Sequence, residues 1–309
     1  MLNEQTSGVF IISVTPFTDG GEIDYSSIDS LMDFYLEKGV HGITLLGMMG
    51  EAQKLSSAET EAFTKHVLGA LGGRVPVIVG VSNPSLANVK ALAWTAMEAG
   101  ADGVMITPAT DLRGDDQLYE YYAGVFETLG PKVPVAYQDY PQSTGVYLSA
   151  AVFGRMVKSF PQLVMLKAED CPGLRKLSQI RSDEMHGQRR VSIMVGNGGL
   201  YLPQELRRGA DGVMTGFAYP EMLVQVYERF LAGDLEGADD IYDAYLPLAT
   251  YEQQPGFGLA VRKEILRRRG AIVSAKVRRP GVTLNRTDLC ELDALQERLA
   301  RALSMLRKS

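Results

Sequence analysis

A lysine that closes a run of apolar residues is the feature of this sequence most able to do chemistry. Lys167 follows Leu163-Val164-Met165-Leu166 and stands two residues before Glu169. An ammonium held against a desolvating wall has its pKa pushed down. That supplies the neutral amine needed to attack a ketone and form a Schiff base. The same pattern also describes a lysine that reaches solvent at a strand end, and position alone leaves both readings open. Gly47-x-x-Gly50-Glu51 encloses Met48 and Met49. Its glycines let the backbone approach a ligand closely, and its amides could meet a carboxylate. The alternative is a plain turn. Gly196-Asn197-Gly198-Gly199 carries the same two readings. Tyr137, Gln138, Asp139 and Tyr140 lie together after an apolar run. A tyrosine there either relays protons or packs with a wet hydroxyl.

The elements that must position these residues are marked by glycine. Gly39-Val40-His41-Gly42-Ile43-Thr44-Leu45 recurs as Gly100-Ala101-Asp102-Gly103-Val104-Met105-Ile106 and as Gly209-Ala210-Asp211-Gly212-Val213-Met214-Thr215. Each copy follows a helix-like run. The first glycine suits a left-handed helix C-cap, and the apolar run after it suits a strand buried on both faces. Further strands are expected at Val9 to Val14, Val75 to Val79, Val133 to Tyr137, Leu163 to Leu166 and Val191 to Val195. Pro76 and Pro134 open two of them, where a missing donor is tolerated. Eight strands alternating with helices in about 220 residues predict a closed (β/α)8 TIM barrel. A doubly wound open sheet is the alternative, but no G-x-G-x-x-G follows the first strand.

Beyond Tyr219 the pattern turns helical, over Glu221 to Leu231, Leu235 to Leu248, Gly258 to Arg269 and Asp288 to Leu306. The expected organisation is a barrel over 1–220 and a C-terminal helical extension over 221–309 packed on it. Active sites of such barrels lie at the carboxyl ends of the strands. The residues there are Thr15, Gly47 to Glu51, Thr107-Pro108, Gln138-Asp139, Lys167 to Glu169, Gly196 to Gly198 and Thr215-Gly216.

Composition removes several classes of function. The chain of 309 residues carries a net charge of -6, which offers no electrostatic footprint for nucleic acid. Cys171 and Cys290 make no disulfide framework, and His41, His66 and His186 form no ligand pair, so no metal site is expected. No stretch of about 18 uncharged apolar residues predicts a membrane span. The start lacks a basic-then-apolar leader, and a cytoplasmic protein is expected. Arg267 to Arg269, with Arg278-Arg279, reads either as an anion site or as a solvated helix end.

The ordered set of Thr15-Pro16-Phe17, Gly47-x-x-Gly50-Glu51, Thr107-Pro108, Pro141-x-x-Thr144-Gly145, Lys167 and Gly196 resembles the dihydrodipicolinate synthase / N-acetylneuraminate lyase family of class I aldolases, over about residues 8 to 305. The resemblance implies an imine between Lys167 and pyruvate or another small 2-oxo acid, no cofactor beyond that covalent imine, and a homotetramer or homodimer. It departs from the family's synthases and lyases at four places. Met48-Met49 stands for a pair of hydroxyl residues, and Gln138 for a relay tyrosine, with a one-residue bulge able to bring Tyr137 into that place. Ser143 stands for an arginine, and Ala109-Thr110 for an aromatic pair. These departures argue against making dihydrodipicolinate or cleaving sialic acid. Gln138-Asp139-x-Pro141, Lys167-x-Glu169, Pro172-Gly173 and Glu252-x-Gln254 resemble the L-2-keto-3-deoxyarabonate dehydratase branch.

The expected activity is dehydration of a 2-keto-3-deoxy sugar acid. Lys167, Gln138 and Tyr137 are the expected catalytic residues. Gly47, Met48, Met49, Gly50, Glu51, Asp139, Glu169, Gly196 and Asn197 are expected to bind substrate. Pyruvate-dependent aldol chemistry, including that of a hydratase-aldolase with an apolar partner, is a second reading. A non-catalytic 2-oxo acid binding protein is a third.

Overall fold

The computed structural model describes residues 1–307. Eight parallel strands close into a barrel in chain order: β1 (Gly8–Ile12), β2 (Gly42–Leu45), β3 (Val77–Gly80), β4 (Gly103–Ile106), β5 (Val135–Asp139), β6 (Leu163–Ala168), β7 (Ser192–Val195) and β8 (Gly212–Thr215). The β1–β8 pairing, from Gly8↔Gly212 to Ile11↔Thr215, closes the ring. Helices α1 (Tyr25–Glu37), α2 (Ser57–Leu71), α3 (Leu86–Glu98), α4 (Gly114–Leu129), the short α5 (Pro141–Thr144), α6 (Ala150–Ser159), α7 (Leu174–Met185) and α8 (Leu202–Arg207) connect the strands. After β8 come α9 (Pro220–Leu231), α10 (Leu235–Glu252), α11 (Gly258–Arg268) and α12 (Arg286–Leu306). The (β/α)8 barrel expected from the alternation is the observed fold. α9 packs against β1 and completes the eighth unit, so the last barrel helix lies beyond residue 220. α10 packs on α9, α11 and α12.

The glycine repeat acts as expected and does one thing more. Gly39, Gly100 and Gly209 adopt φ of +78°, +102° and +93°, the left-handed turn that ends each helix. The third residue of each copy then accepts an amide from the neighbouring strand. Val9 N–H donates to His41 Nδ1 at 3.1 Å, Val77 N–H to Asp102 Oδ2 at 3.0 Å, and Ile193 N–H to Asp211 Oδ2 at 2.7 Å. Each repeat therefore turns the chain and pins the next strand at its entry.

Strand alternation divides the apolar residues into two cores. Val9, Ile11, Val135, Tyr137 and Leu166 face the helices. Phe10, Ile12, Ile78, Met105, Met165, Met194 and Met214 fill the barrel, with Leu2 closing its amino end. The filled interior leaves the carboxyl ends of the strands as the place for a site. No described helix is long and apolar enough to cross a membrane.

Candidate active site

The site is built where β5 and β6 run side by side. Pairing jumps from Val135↔Leu163 to Ala136↔Met165, so Val164 is an extra residue bulged out of β6. Beyond the bulge the register is regular, and Gln138 pairs with Lys167. Both side chains therefore share the inner face.

Lys167 Nζ lies 2.6 Å from Glu169 Oε2, and Gln138 Nε2 donates to the same oxygen at 2.6 Å. The lysine is only 1% exposed, and Gln138 and Glu169 are buried with it. Burial pushes the Lys167 pKa below its ordinary value, and the Glu169 carboxylate opposes that shift. A desolvated amine thus faces a carboxylate positioned to take and return its proton. The fold brings together two of the residues expected to be catalytic, Lys167 and Gln138, with Glu169, expected to bind substrate.

Gly196 and Asn197 make the Glu169 position possible. A Cβ at Gly196 would sit 2.3 Å from Glu169 Cγ and 2.4 Å from Oε1, so a larger residue would displace the carboxylate. Asn197 Nδ2 donates to the Glu169 main-chain oxygen at 3.1 Å. Both residues thus hold the glutamate in place.

Across the mouth, Met48–Gly50 forms a single 3-10 turn. Thr15 Oγ1 donates to the Gly50 carbonyl at 2.6 Å and ties that turn to the end of β1. Gly47 and Met48 line a cavity of about 590 Å³ whose wall continues through Thr107 to Gln138. Met49 packs on the inner core instead.

Two expected site residues lie elsewhere, and a third has its carboxylate engaged by cations. Tyr137 points to the helix layer, with its ring 4.6 Å from that of Tyr122 and 6.4 Å from that of Phe153. The bulge that would have turned it inward falls in β6, so strand parity leaves the phenol outside. Burial holds its pKa well above the ordinary tyrosine value. Asp139 shares that outward parity. Its Oδ2 meets Lys176 Nζ at 2.7 Å, and Lys176 also reaches Asp170 at 2.6 Å. Glu205 lies in the same outer pocket. Burial raises Asp139 to about 6 and Glu205 to about 8. Glu51 lines the cavity, but its carboxylate is held by cations and an amide. Lys263 Nζ lies at 2.6 Å, Lys54 Nζ at 2.8 Å, and the Arg278 N–H donates at 3.0 Å. It braces the mouth loop against the C-terminal segment.

Two groups of residues escaped the sequence reading. Ser82 and Asn83, just beyond β3, line the cavity, and the Ser82-Asn83-Pro84 turn signal after an apolar run marks that strand end. Arg262 of α11 reaches the end of β8, paired with Glu252 at 2.5 Å. Its spacing within a helix gives no sign of that reach.

Comparison with known proteins agrees with the geometry. Residues 5–298 match the dihydrodipicolinate synthetase family. An L-2-keto-3-deoxyarabonate dehydratase from Azospirillum brasilense is 32% identical over 300 residues, covering 94% of each chain. A 4-hydroxy-tetrahydrodipicolinate synthase from Sorangium cellulosum is 35% identical over 248 residues, covering 78% of this chain and 79% of its own. The crystal structure of a dihydrodipicolinate synthase from Rhodopseudomonas palustris superposes with a TM-score of 0.94 at 45% identity, covering 96% of this chain and 99% of its own.

Proposed function

The chain belongs to the dihydrodipicolinate synthetase family, and we propose that it is a Schiff-base lyase of that family acting on a 2-oxo acid, dehydrating a 2-keto-3-deoxy sugar acid through an imine on Lys167. The observation that carries this reading is the single carboxylate oxygen of Glu169 shared by Lys167 Nζ and Gln138 Nε2 inside the barrel.

The chemistry follows from those groups. Glu169 takes the ammonium proton, and the neutral Nζ attacks the C2 ketone. The carbonyl oxygen leaves as water, and a C=N bond to Lys167 remains. The iminium acidifies C3, and Glu169, the nearest carboxylate, removes a proton there. The resulting electron pair expels the C4 hydroxyl, which takes that proton and departs as a second water. Hydrolysis of the imine frees product and lysine. Gln138 does not titrate and serves to orient Glu169. Main-chain amides of Gly47 to Met49 meet the substrate carboxylate, the Gly50 amide being taken by the Gly47 carbonyl. No metal or cofactor enters the scheme.

Two features favour elimination over the synthase reaction. The inward residue of β5 is Gln138, not a phenol, and a relative from Azospirillum brasilense that matches over 94% of each chain is named a dehydratase. Aldol chemistry with pyruvate is the second reading, favoured by Met48 on the cavity wall, which suits an apolar aldehyde. Assembly as a homotetramer or homodimer belongs to the same reading.

Borohydride trapping with pyruvate and with a 2-keto-3-deoxy pentonate tests it, read by intact mass and peptide mapping. The expected result is a stable adduct on Lys167, with loss of water and no pyruvate released from the pentonate. Pyruvate as a product would establish the aldolase reading. No adduct with either would overturn the imine mechanism and leave a non-catalytic binder.

A further inference from the structure

Arg262 is among the largest fully buried side chains of the protein, yet its guanidinium is only partly satisfied. Nε donates to Glu252 Oε1 at 2.5 Å, and Glu252 Oε2 accepts the Ala218 N–H at 3.1 Å. Nη1 has no hydrogen-bond partner among the described residues. Buried N–H groups in native folds are nearly always paired, so an orphan on a guanidinium asks for a ligand.

Where that group points is read from β8. Val213 faces the helices and Met214 fills the barrel, so alternation turns residue 216 inward. Residue 216 is glycine, and a Cβ there would sit 1.9 Å from Arg262 Nη1 and 2.6 Å from Cζ. The guanidinium therefore occupies the inward place that the next β8 side chain would fill. The same Cβ position is 3.2 Å from the Ile12 carbonyl oxygen at the end of β1. On the other side of β1, a Cβ at Gly47 would sit 3.1 Å from Ile12 Cγ2. Arg262 and the Gly47 loop thus bracket the same strand end. The Arg262 charge also acts on Lys167.

We propose that Arg262 is a further substrate-binding residue, whose Nη1 takes one oxygen of the 2-oxo acid carboxylate from the β8 side while the Gly47 loop meets it from the β2 side. Glu252 is its positioning residue, holding Nε so that the rest of the fork turns inward. The inference rests on the Schiff-base reading above. A planar fork with a fixed partner suits a carboxylate better than a flexible ammonium would.

The test compares two ketones that differ in the carboxylate. Pyruvate and hydroxyacetone are each trapped with borohydride on the wild-type chain, on Arg262→Met and on Gly216→Ala. The second variant keeps both charges and displaces the guanidinium by sterics alone, so it decides the matter if Arg262→Met does not fold. The expected result is that the pyruvate concentration for half-maximal trapping rises about 10- to 100-fold in both variants, the loss of one charge-assisted hydrogen bond. Trapping of hydroxyacetone stays at the wild-type level in Gly216→Ala, which keeps the Arg262 charge that acts on Lys167. Equal loss with both ketones, or no loss with pyruvate in Gly216→Ala, would overturn the inference. No adduct on the wild-type chain would overturn the Schiff-base reading itself, and this inference with it.

Discussion

Gly196→Ala perturbs the site without replacing any group that reacts. The new Cβ would lie 2.3 Å from Glu169 Cγ and 2.4 Å from Oε1, whereas ordinary contact begins at 3.4 Å. Glu169 must therefore withdraw by about 1 Å. Its Oε2 then parts from Lys167 Nζ and Gln138 Nε2, each now at 2.6 Å, beyond hydrogen-bond reach. The backbone φ of residue 196 is -126°, so alanine meets no left-handed requirement there. Misplacing a catalytic group by about 1 Å costs about 100-fold, and losing a positioned acid–base outright costs about 100- to 10,000-fold. The carboxylate is still present, so the lower figure applies. Steady-state dehydration of a 2-keto-3-deoxy pentonate should show kcat reduced about 100-fold. Thermal unfolding should show only the loss of about 1–3 kcal/mol expected of overpacking. The double variant Gly196→Ala/Glu169→Gln should be no slower than Glu169→Gln alone, because both changes act through one carboxylate. A kcat within about threefold of wild type, in a folded protein, would refute Glu169 as the working acid–base.

Lys167→Ala should give no borohydride adduct while circular dichroism and cooperative unfolding persist, because the residue ends its strand above the packed interior; turnover in that variant would sink the mechanism. In Glu169→Gln the pH at which trapping rises should move down. The Glu169 charge raises the Lys167 pKa and burial lowers it, so removing the charge leaves burial unopposed; a shift to higher pH would contradict this. Glu205→Gln should remove a pH dependence of stability. The folded-state pKa of about 8 lies above the ordinary 4.5, so Glu205 adds stability that is complete below pH 4.5 and lost as pH rises through 8. The slope is at most about 1.4 kcal/mol per pH unit, and wild type and variant should diverge in Tm between pH 5 and pH 8. Parallel Tm curves would show that Glu205 ionises freely.

The barrel was legible because its punctuation is chemical. A left-handed glycine and a strand-entry acceptor recur at 39–42, 100–103 and 209–212, and each does local work any reader of the sequence can anticipate. Lys167 and Glu169 were legible for a similar reason, an ionisable pair at the end of an apolar run. The choice between Tyr137 and Gln138 was not. It depends on which strand carries the bulge, and Leu163-Val164-Met165-Leu166 contains no glycine or proline to mark the extra residue. Asp139 and Glu51 show the same limit. Sequence places them at strand ends, but the direction of each carboxylate is set by cations at residues 176 and 263, one of them over two hundred residues away. Arg262 was invisible because a buried arginine in a helix reads as part of a solvated basic face until the glycine opposite it is known.

The position of α11 also orders the making of the protein in time. Arg262, Lys263 and Glu264 are three consecutive charged residues that end up buried. Lys263 Nζ joins Glu51, the Thr15 carbonyl and the Lys276 carbonyl. The ring itself needs only residues up to Thr215. At about 5–20 residues per second of synthesis, several seconds separate the emergence of β8 from that of α11. During that interval Glu51 has Lys54 beside it but not yet Lys263, the buried cation that ties it to the C-terminal segment. The pocket is thus matured by the last quarter of the chain, so that assembly of the strands and readiness for chemistry are separate events during biosynthesis.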